Sequence, residues 1–304
     1  MVFKQTEKQD RLPMVSIGMP VYNGEEYLRD ALDTLLEQTY RDFELIISDN
    51  ASTDCTANIC TEYSKKDKRI KYNRQKKNIG AISNFNYVLS IASGKYFMWA
   101  AHDDKWNKNY VELLANVLID NEKMALAYGM AVFINDKGLI CGGAKNNFFS
   151  FRLMRIDHNN QNLLNALIYY LDRNPFKIYG LYKTTSIKKY KFEPFLGSAQ
   201  NAENILLFRY LAANRAIECA GATYFYRKLP KSPESYAEKA SFVAPSRLQI
   251  EFAFIKEVCR TLWAEWGIFS VIFGPAIPVL FIAAFYKPLL SRIFRVKSLV
   301  QEHS

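Results

Sequence analysis

Two adjacent carboxylates, Asp103 and Asp104, follow a short run of strand-forming aromatic and apolar residues at positions 95–100. A strand that ends in acidic residues places oxygen ligands at the carboxyl edge of a sheet, where open α/β sheets bind their ligands. Because no cysteine or histidine cluster accompanies them in the sequence, these oxygens suit a hard divalent cation such as Mg²⁺ or Mn²⁺. The alternative is a solvated Asp-Asp turn after a buried strand.

Other polar clusters also stand where predicted strands end. The apolar run 14–21 closes with Tyr22-Asn-Gly, and the run 43–48 leads into Asp49-Asn-Ala-Ser-Thr-Asp. A third cluster, Asn78-Ile-Gly, opens a predicted helix. If these strands are parallel, all of these side chains lie at one edge of the sheet.

The elements that must position these residues alternate regularly. Strands are predicted over residues 14–21, 43–48, 69–73 and 95–100, and helices over 25–38, 81–92 and from a cap at Ser52 or Thr53 to about residue 64. This alternation predicts an α/β fold with a doubly wound, mostly parallel central sheet. Neither a GxGxxG fingerprint nor a Walker loop follows the first strand, which disfavours NAD-type and P-loop enzymes.

The second half of the chain is less regular and predicts a mixed α+β unit with C-terminal helices. Helices are predicted over 106–121, 159–171 and 202–213, and strands over 124–135, 176–182 and 217–226, with a hairpin turn at 136–138. The predicted organisation is a tail (1–12), a nucleotide-binding half (13–130), an acceptor-binding half (131–230), a helical extension (231–266) and an apolar segment with a basic flank (267–304).

Composition limits the class of protein. The 304 residues are 49% hydrophobic and 23% charged, which is typical of a globular chain, with a net charge of +10. Part of that charge lies in residues 65–77, whose one aromatic is Tyr72, so we expect a solvated or membrane-facing surface and no nucleic-acid site. The five cysteines are scattered and no apolar signal region precedes residue 13, which favours a reducing, cytoplasmic location.

Residues 267–286 carry no charged side chain across 20 positions. That length can cross a bilayer as a helix, although Pro275 and Pro278 would kink it, so an in-plane or re-entrant hairpin is equally compatible. The basic flank after it favours attachment to the cytoplasmic face of the membrane. The alternative is a buried C-terminal helix that packs on the core.

Together the strand-end clusters resemble those of the inverting GT-A glycosyltransferases of family 2. The resemblance covers residues 13–130 strongly and 131–230 weakly. It implies that the loop after the first strand and the Asn-Ile-Gly segment line a nucleotide-sugar pocket, through Pro20, Tyr22, Glu25, Asn78 and Gly80. It further implies that Asp49 accepts the imide N–H of a uracil or thymine ring, which is a donor that other bases lack.

The resemblance implies that Asp103 is the last aspartate of a metal-binding D-x-D. The first position of that motif is Ala101, which leaves two alternatives: the metal has two protein carboxylates, or it relies on Asp103 with water and phosphate. Asp104 is expected to support the metal site without binding the metal itself. His102 is expected to face the sugar or phosphate, because imidazole is a poor match for a hard cation.

A carboxylate must take the proton of the acceptor hydroxyl in such a reaction. The family places it at the start of a helix, where this chain has Glu203 followed by Asn204. Glu203 is therefore the expected base, with Asp104 or Glu193 next. Arg227, at the end of a late strand, is expected to clamp the diphosphate.

These residues predict a glycosyltransferase that moves a sugar from a UDP- or dTDP-sugar donor to a hydroxyl of a glycan or lipid-linked saccharide. A non-catalytic nucleotide-sugar-binding protein on the same fold is the second hypothesis, because Ala101 and Asn204 stand where acids are expected. A nucleotidyltransferase is a third, although it lacks its phosphate loop. The donor sugar, the linkage and the oligomeric state are not specified by the sequence.

Overall fold

The structure is a computed structural model that describes residues 12–143, 175–194 and 202–229, with positions 253, 256, 257, 260, 261 and 264. Its strands are β1 (Val15–Val21), β2 (Phe43–Asp49), β3 (Ile70–Arg74), β4 (Tyr96–Trp99), β5 (Lys105–Trp106), β6 (Leu126–Ile134), β7 (Ile140–Gly143), β8 (Leu181–Lys183) and β9 (Ala216–Arg227). Its helices are α1 (Leu28–Leu36), α2 (Thr56–Lys66), α3 (Ala81–Ser90), α4 (Tyr110–Asp120), α5 (Thr184–Ile187) and α6 (Ala202–Ala213), with a 3₁₀ turn over Pro175–Tyr179.

One sheet runs through both halves of the described chain, in the order β3-β2-β1-β4-β8-β6-β9-β5, with β7 paired to β6. The first four strands of that order are parallel. β8 joins β4 in the antiparallel direction, while β6 and β9 are parallel to each other. The predicted α/β class with a mixed second half is therefore confirmed, and the loops after β1, β2, β3 and β4 meet at one edge.

Helices cover both faces of the sheet, so its central strands are buried on both faces. Every residue of β1 and β2 is buried. Helix α1 packs Leu28, Ala31, Leu32 and Leu35, spaced for one helical face, into the same cluster as α4. The opposite face packs against α3 and α6. Parallel sheets are buried in this way because their crossover helices return on both sides.

Two predicted elements differ in the structure. The helix expected from Trp106 begins at Tyr110, because Lys105 and Trp106 pair antiparallel with β9, a contact too distant in sequence to be foreseen. The strand expected over 176–182 is a 3₁₀ turn followed by β8. Pro175 is the first residue of the 3₁₀ turn, and proline is favoured at the start of a helix. Gly180 lets the chain after this turn lie close to β6, since a Cβ at Gly180 would lie 2.7 Å from the carbonyl oxygen of Ala127.

One further prediction is confirmed, and two others concern segments that the structure does not describe. The hairpin turn at 136–138 is confirmed, with Asn135 N–H donating to the carbonyl of Leu139 at 2.9 Å. The predicted helix 159–171, and the segment 267–304, lie outside the described residues. Within the described residues, none of the helices combines the length and apolar character needed to cross a bilayer.

Candidate active site

The loops that follow β1 and β2 interlock through hydrogen bonds from main-chain N–H groups to side-chain oxygens. Glu25 donates its N–H to Asp54 Oδ2 at 3.0 Å, and Glu25 Oε2 accepts the N–H of Cys55 at 2.8 Å. Further bonds run from Asn23 N to Ser52 Oγ, from Gly24 N to Thr56 Oγ1 and from Thr53 N to Asn23 Oδ1. The two predicted nucleotide-binding loops therefore hold each other in place.

This interlock defines the surroundings of three predicted donor-binding residues. Tyr22 is 44% exposed at the edge of the sheet, where its ring is free to meet a ligand. Pro20 is buried within β1, opposite Ser48 of β2. Glu25 is exposed, but one of its oxygens is engaged at the start of α2. The caps expected from Ser52 or Thr53 are wrong, because α2 begins at Thr56, where Asp54 Oδ1 accepts the N–H.

Asp49 ends β2 and is fully buried, with its carboxylate oriented by three donors. Its Oδ1 accepts the N–H of Ser52 at 2.8 Å, and its Oδ2 accepts the hydroxyl of Tyr72 at 3.0 Å. Arg74 Nε lies 3.4 Å from the same Oδ2. Burial and this hydrogen bond raise the pKa of Tyr72, so the phenol stays a donor to the carboxylate.

Asn78 and Gly80 fasten the third loop to the second. Asn50 Nδ2 donates to Asn78 Oδ1 at 2.9 Å, and Asn50 Oδ1 accepts the N–H of Ile79 at 2.8 Å. Gly80 has a φ of +82° and a ψ of 156°, a conformation that side chains disfavour, and α3 begins at the next residue. Asn78 therefore braces the start of α3 against the residue that follows Asp49.

His102 packs directly on the loop after β1. A Cβ added to Gly24 would lie 2.6 Å from His102 Cδ2, so only glycine permits this approach. Asp103 follows, partly exposed at the same edge. The structure thus brings the predicted metal ligand next to the predicted donor-binding loops.

Arg227 lies behind these residues, and it is engaged with protein groups on several elements. Its side chain is 1% exposed, and its Nε donates to the main-chain carbonyl of Asp103 at 2.8 Å. Its remaining partners are Asp30 Oδ2 at 3.1 Å, the carbonyls of Asn135 and Asp136, and the ring of Tyr27, 4.4 Å from the guanidinium carbon. In this structure Arg227 anchors the Asp103 loop, and its donors are largely used by the protein.

Asp104 differs from its neighbour in being buried, with 1% of its surface exposed. Its Oδ1 accepts the main-chain N–H of Arg227 at 2.8 Å, whereas its Oδ2 has no hydrogen-bond partner among the described residues. Burial and the charge of Asp103 raise the pKa of Asp104 well above its ordinary value. The two aspartates are therefore unlike, and Asp103 is the one that reaches the surface.

Glu203 stands in the first turn of α6 and lines a cavity of about 230 Å³. Burial raises the pKa of this carboxyl above its ordinary value. The lining also includes the start of α3, at Ala81 and Ile82, directly after the Asn-Ile-Gly segment. Glu193, the other candidate base, is exposed and pairs with Arg209 at 2.6 Å.

Tyr179 lines the same cavity as Glu203. Burial, followed by the negative charges of Asp104 and Asp103, raises its pKa well above the ordinary value. The phenol of Tyr179 therefore stays protonated in the cavity wall.

A divalent cation fits this site only in part. Among the residues that the structure describes, no three His, Cys, Asp or Glu side chains are grouped as a metal cage. Asp103 nevertheless offers a hard oxygen at the surface, which suits Mg²⁺ or Mn²⁺ when phosphate oxygens and water complete the coordination.

Sequence reasoning missed the residues that orient the predicted ones. Tyr72 and Arg74, which hold Asp49, stand at alternate positions of β3, and a polar alternation at the end of an exposed strand could have indicated them. Tyr179 and Asp30 carried no local signal.

Comparison with known proteins decides the family. The model for "Glycosyl transferase family 2" matches residues 16–177, more than half of the chain. This chain belongs to glycosyl transferase family 2. In structure, this family 2 chain is similar to S. aureus TarS 1–349 in complex with UDP-GlcNAc, with a TM-score of 0.62 at 16% identity over 90% of this chain and 72% of that one. That likeness confirms the GT-A type of fold.

Curated relatives match a shorter part of this family 2 chain. An uncharacterized glycosyltransferase of Rickettsia bellii is 38% identical over 45% of this chain and 20% of its own length. The putative teichuronic acid biosynthesis glycosyltransferase TuaG of Bacillus subtilis is 38% identical over 33% of this chain and 40% of its own. The chain therefore spans well under half the length of these relatives.

Proposed function

We propose that this family 2 chain transfers a sugar from a UDP- or dTDP-sugar to a hydroxyl of a cell-surface glycan, with inversion at the anomeric carbon. The observation that carries the proposal is the position of Asp103 beside the interlocked loops after β1 and β2, with the carboxylate of Glu203 lining a cavity that also includes the start of α3. The names of TuaG and of the TarS complex with UDP-GlcNAc support a nucleotide-sugar donor and a glycan product.

On the donor side, Asp49 accepts the imide N–H of the pyrimidine with a carboxylate already oriented by Ser52 and Tyr72. Tyr22 stacks on the base, and Glu25, Asn78, Gly80 and His102 shape the pocket for ribose, phosphate and sugar. Asp103 is the residue that would hold Mg²⁺ or Mn²⁺, which would neutralise the charge of the departing diphosphate.

On the acceptor side, Glu203 removes the proton from the acceptor hydroxyl. The hydroxyl oxygen forms a bond to the anomeric carbon as the bond between that carbon and the β-phosphate oxygen breaks. The nucleoside diphosphate leaves with the electron pair, and Glu203 keeps the proton until it is released to solvent. A single displacement of this kind inverts the configuration.

A donor screen tests the proposal. The full chain is incubated with UDP- and dTDP-sugars, including UDP-GlcNAc, and a panel of glycan acceptors, and mass spectrometry follows donor consumption and product mass. We expect loss of one nucleotide sugar with an equal amount of glycosylated product. In Asp103→Ala the rate should fall by at least about a hundredfold. Unchanged turnover of this variant, and of wild type in chelator, would contradict the metal assignment.

The second candidate function is binding of a nucleotide sugar without sugar transfer. It is favoured by Ala101 and Asn204, which stand where acidic residues are expected. Titration calorimetry separates the two candidates. Donor binding without transfer to any acceptor of the panel would support the binding protein.

We also propose that residues 267–286 attach the chain to the membrane, as their uncharged apolar sequence supports. Flotation with liposomes compares the full chain with a chain that ends at residue 266. We expect only the full chain to float. Equal recovery of both in the unbound fraction would contradict the attachment.

A further inference from the structure

Half of the described residues that line the cavity beside Glu203 are aromatic. Phe85 and Phe192 pack against each other with ring centroids 5.1 Å apart, and Phe176 and Tyr226 pack against each other at the same distance. These pairs come from α3, the segment after α5, the 3₁₀ turn and β9, so both halves of the fold contribute. Aromatic faces bind the C–H-bearing face of a pyranose ring by packing and by their negative quadrupole.

The described lining of this cavity carries one charged side chain, the carboxylate of Glu203, and no Lys, Arg or His lies among these lining residues. A second anion held there would lack a cationic partner and would be repelled by Glu203 in a partly desolvated space, where Coulomb energies exceed those in water. Arg209, on the same helix as Glu203, pairs with Glu193 and Glu257, and Arg227 pairs with Asp30.

We infer that this cavity receives the reacting sugar of a neutral acceptor, a hydroxyl-bearing pyranose without carboxylate or phosphate, and that it rejects acidic sugars. The inference rests on the proposed function, because the occupant is identified by its hydroxyl next to Glu203. The aromatic walls bind the ring, and the Glu203 carboxylate, with no cation beside it in the described lining, disfavours a second negative charge.

Matched acceptors test the inference. A hexopyranoside and the hexuronate of the same configuration differ only at C6, which is a CH₂OH group in the first and a carboxylate in the second. With the UDP-sugar that the full chain consumes, we expect kcat/KM to favour the best neutral hexoside over its hexuronate by at least about tenfold. Equal or better use of the hexuronate would overturn the inference and leave the proposed function standing. Transfer to no acceptor of either kind would overturn the proposed function and this inference with it.

A gain of activity provides the second test, since misfolding cannot produce it. Ile82 is half-buried in the cavity wall, and its neighbour Ser83 is exposed on α3 outside the lining. Ile82→Lys should raise use of the hexuronate relative to the hexoside by about tenfold, whereas Ser83→Lys should leave the ratio unchanged. Equal ratios in both variants would contradict the inference.

A third variant tests the aromatic wall. Phe85→Leu should raise the acceptor KM by about tenfold and leave the donor KM unchanged, because the Phe85 ring lines the cavity assigned to the acceptor. Tyr87→Leu, on the same helix but outside the lining, is its control. A change in donor KM with no change in acceptor KM would contradict the assignment of the cavity to the acceptor.

Discussion

The Nε of Arg227 donates to the main-chain carbonyl of Asp103 at 2.8 Å, which joins the last strand of the sheet to the predicted metal ligand. These residues are 124 positions apart. The same guanidinium reaches Asp30 on α1 and the carbonyl of Asp136 after β6. The position of Asp103 therefore depends on contacts from both halves of the fold.

This contact predicts a large effect of Arg227→Met. The variant leaves several buried acceptors unpaired, so the free energy of unfolding should fall by about 3 kcal/mol in urea denaturation. Lys105→Met is the matched control, because Lys105 also pairs with Asp30, at 3.0 Å, but its side chain is 31% exposed. Its loss should be below about 1 kcal/mol. Similar losses in the two variants would show that Arg227 is not the anchor.

Glu44 predicts a pH dependence of stability. It is 3% exposed. Burial alone would raise its pKa, but hydrogen bonds from Lys71, Ser16 and Ser93 outweigh burial and lower it. A carboxylate with a lowered pKa stabilises the fold above its unfolded pKa of about 4.3, and this contribution is lost as pH falls through the lower folded value.

Glu44→Gln should therefore lower the free energy of unfolding by about 1–3 kcal/mol at neutral pH, with a smaller difference from wild type below about pH 4. Urea unfolding across that pH range measures the difference. Glu37→Gln, an exposed position at the end of α1, serves as the control. A difference that stays constant with pH would contradict the role of Glu44.

Gly80 predicts a backbone effect on donor binding. Its φ of +82° with a ψ of 156° is accessible to glycine almost alone. Gly80→Ala should cost about 1–3 kcal/mol of stability and weaken binding of UDP in calorimetry, because α3 then loses its register against Asn50. Ser83→Ala on the same helix should change neither quantity. Undiminished UDP binding by the glycine variant would separate this loop from the donor site.

The raised pKa of Glu203 predicts the pH profile of transfer. A base must be ionised, and burial raises the pKa of this carboxyl, so log kcat/KM should fall as pH drops through a value above the ordinary glutamate pKa of about 4.3. A profile measured with the consumed UDP-sugar checks this. An acidic limb at or below the ordinary value would contradict the assignment.

The sequence indicated the ends of β1, β2 and β4 because these strands are apolar on both faces and close with polar turns. That pattern alone is enough to predict that Asp49, Asn78 and Asp103 lie at one edge of the sheet. The pattern could not indicate contacts that depend on pairing between segments distant in sequence. The strand at Lys105 exists only because β9 lies beside it, and the partners of Arg227 are brought together by the closed sheet. Glu203 was predicted on its helix, but the aromatic cavity around it needed the fold.

The role of Glu203 as the base of a transfer from a nucleotide sugar is tested most directly by Glu203→Gln assayed beside Glu193→Gln. For each variant, product formation by mass spectrometry is compared with UDP binding by calorimetry. We expect that Glu203→Gln loses at least about a hundredfold in transfer rate while binding UDP as wild type does, and that Glu193→Gln keeps its rate. Wild-type transfer by Glu203→Gln would contradict this role.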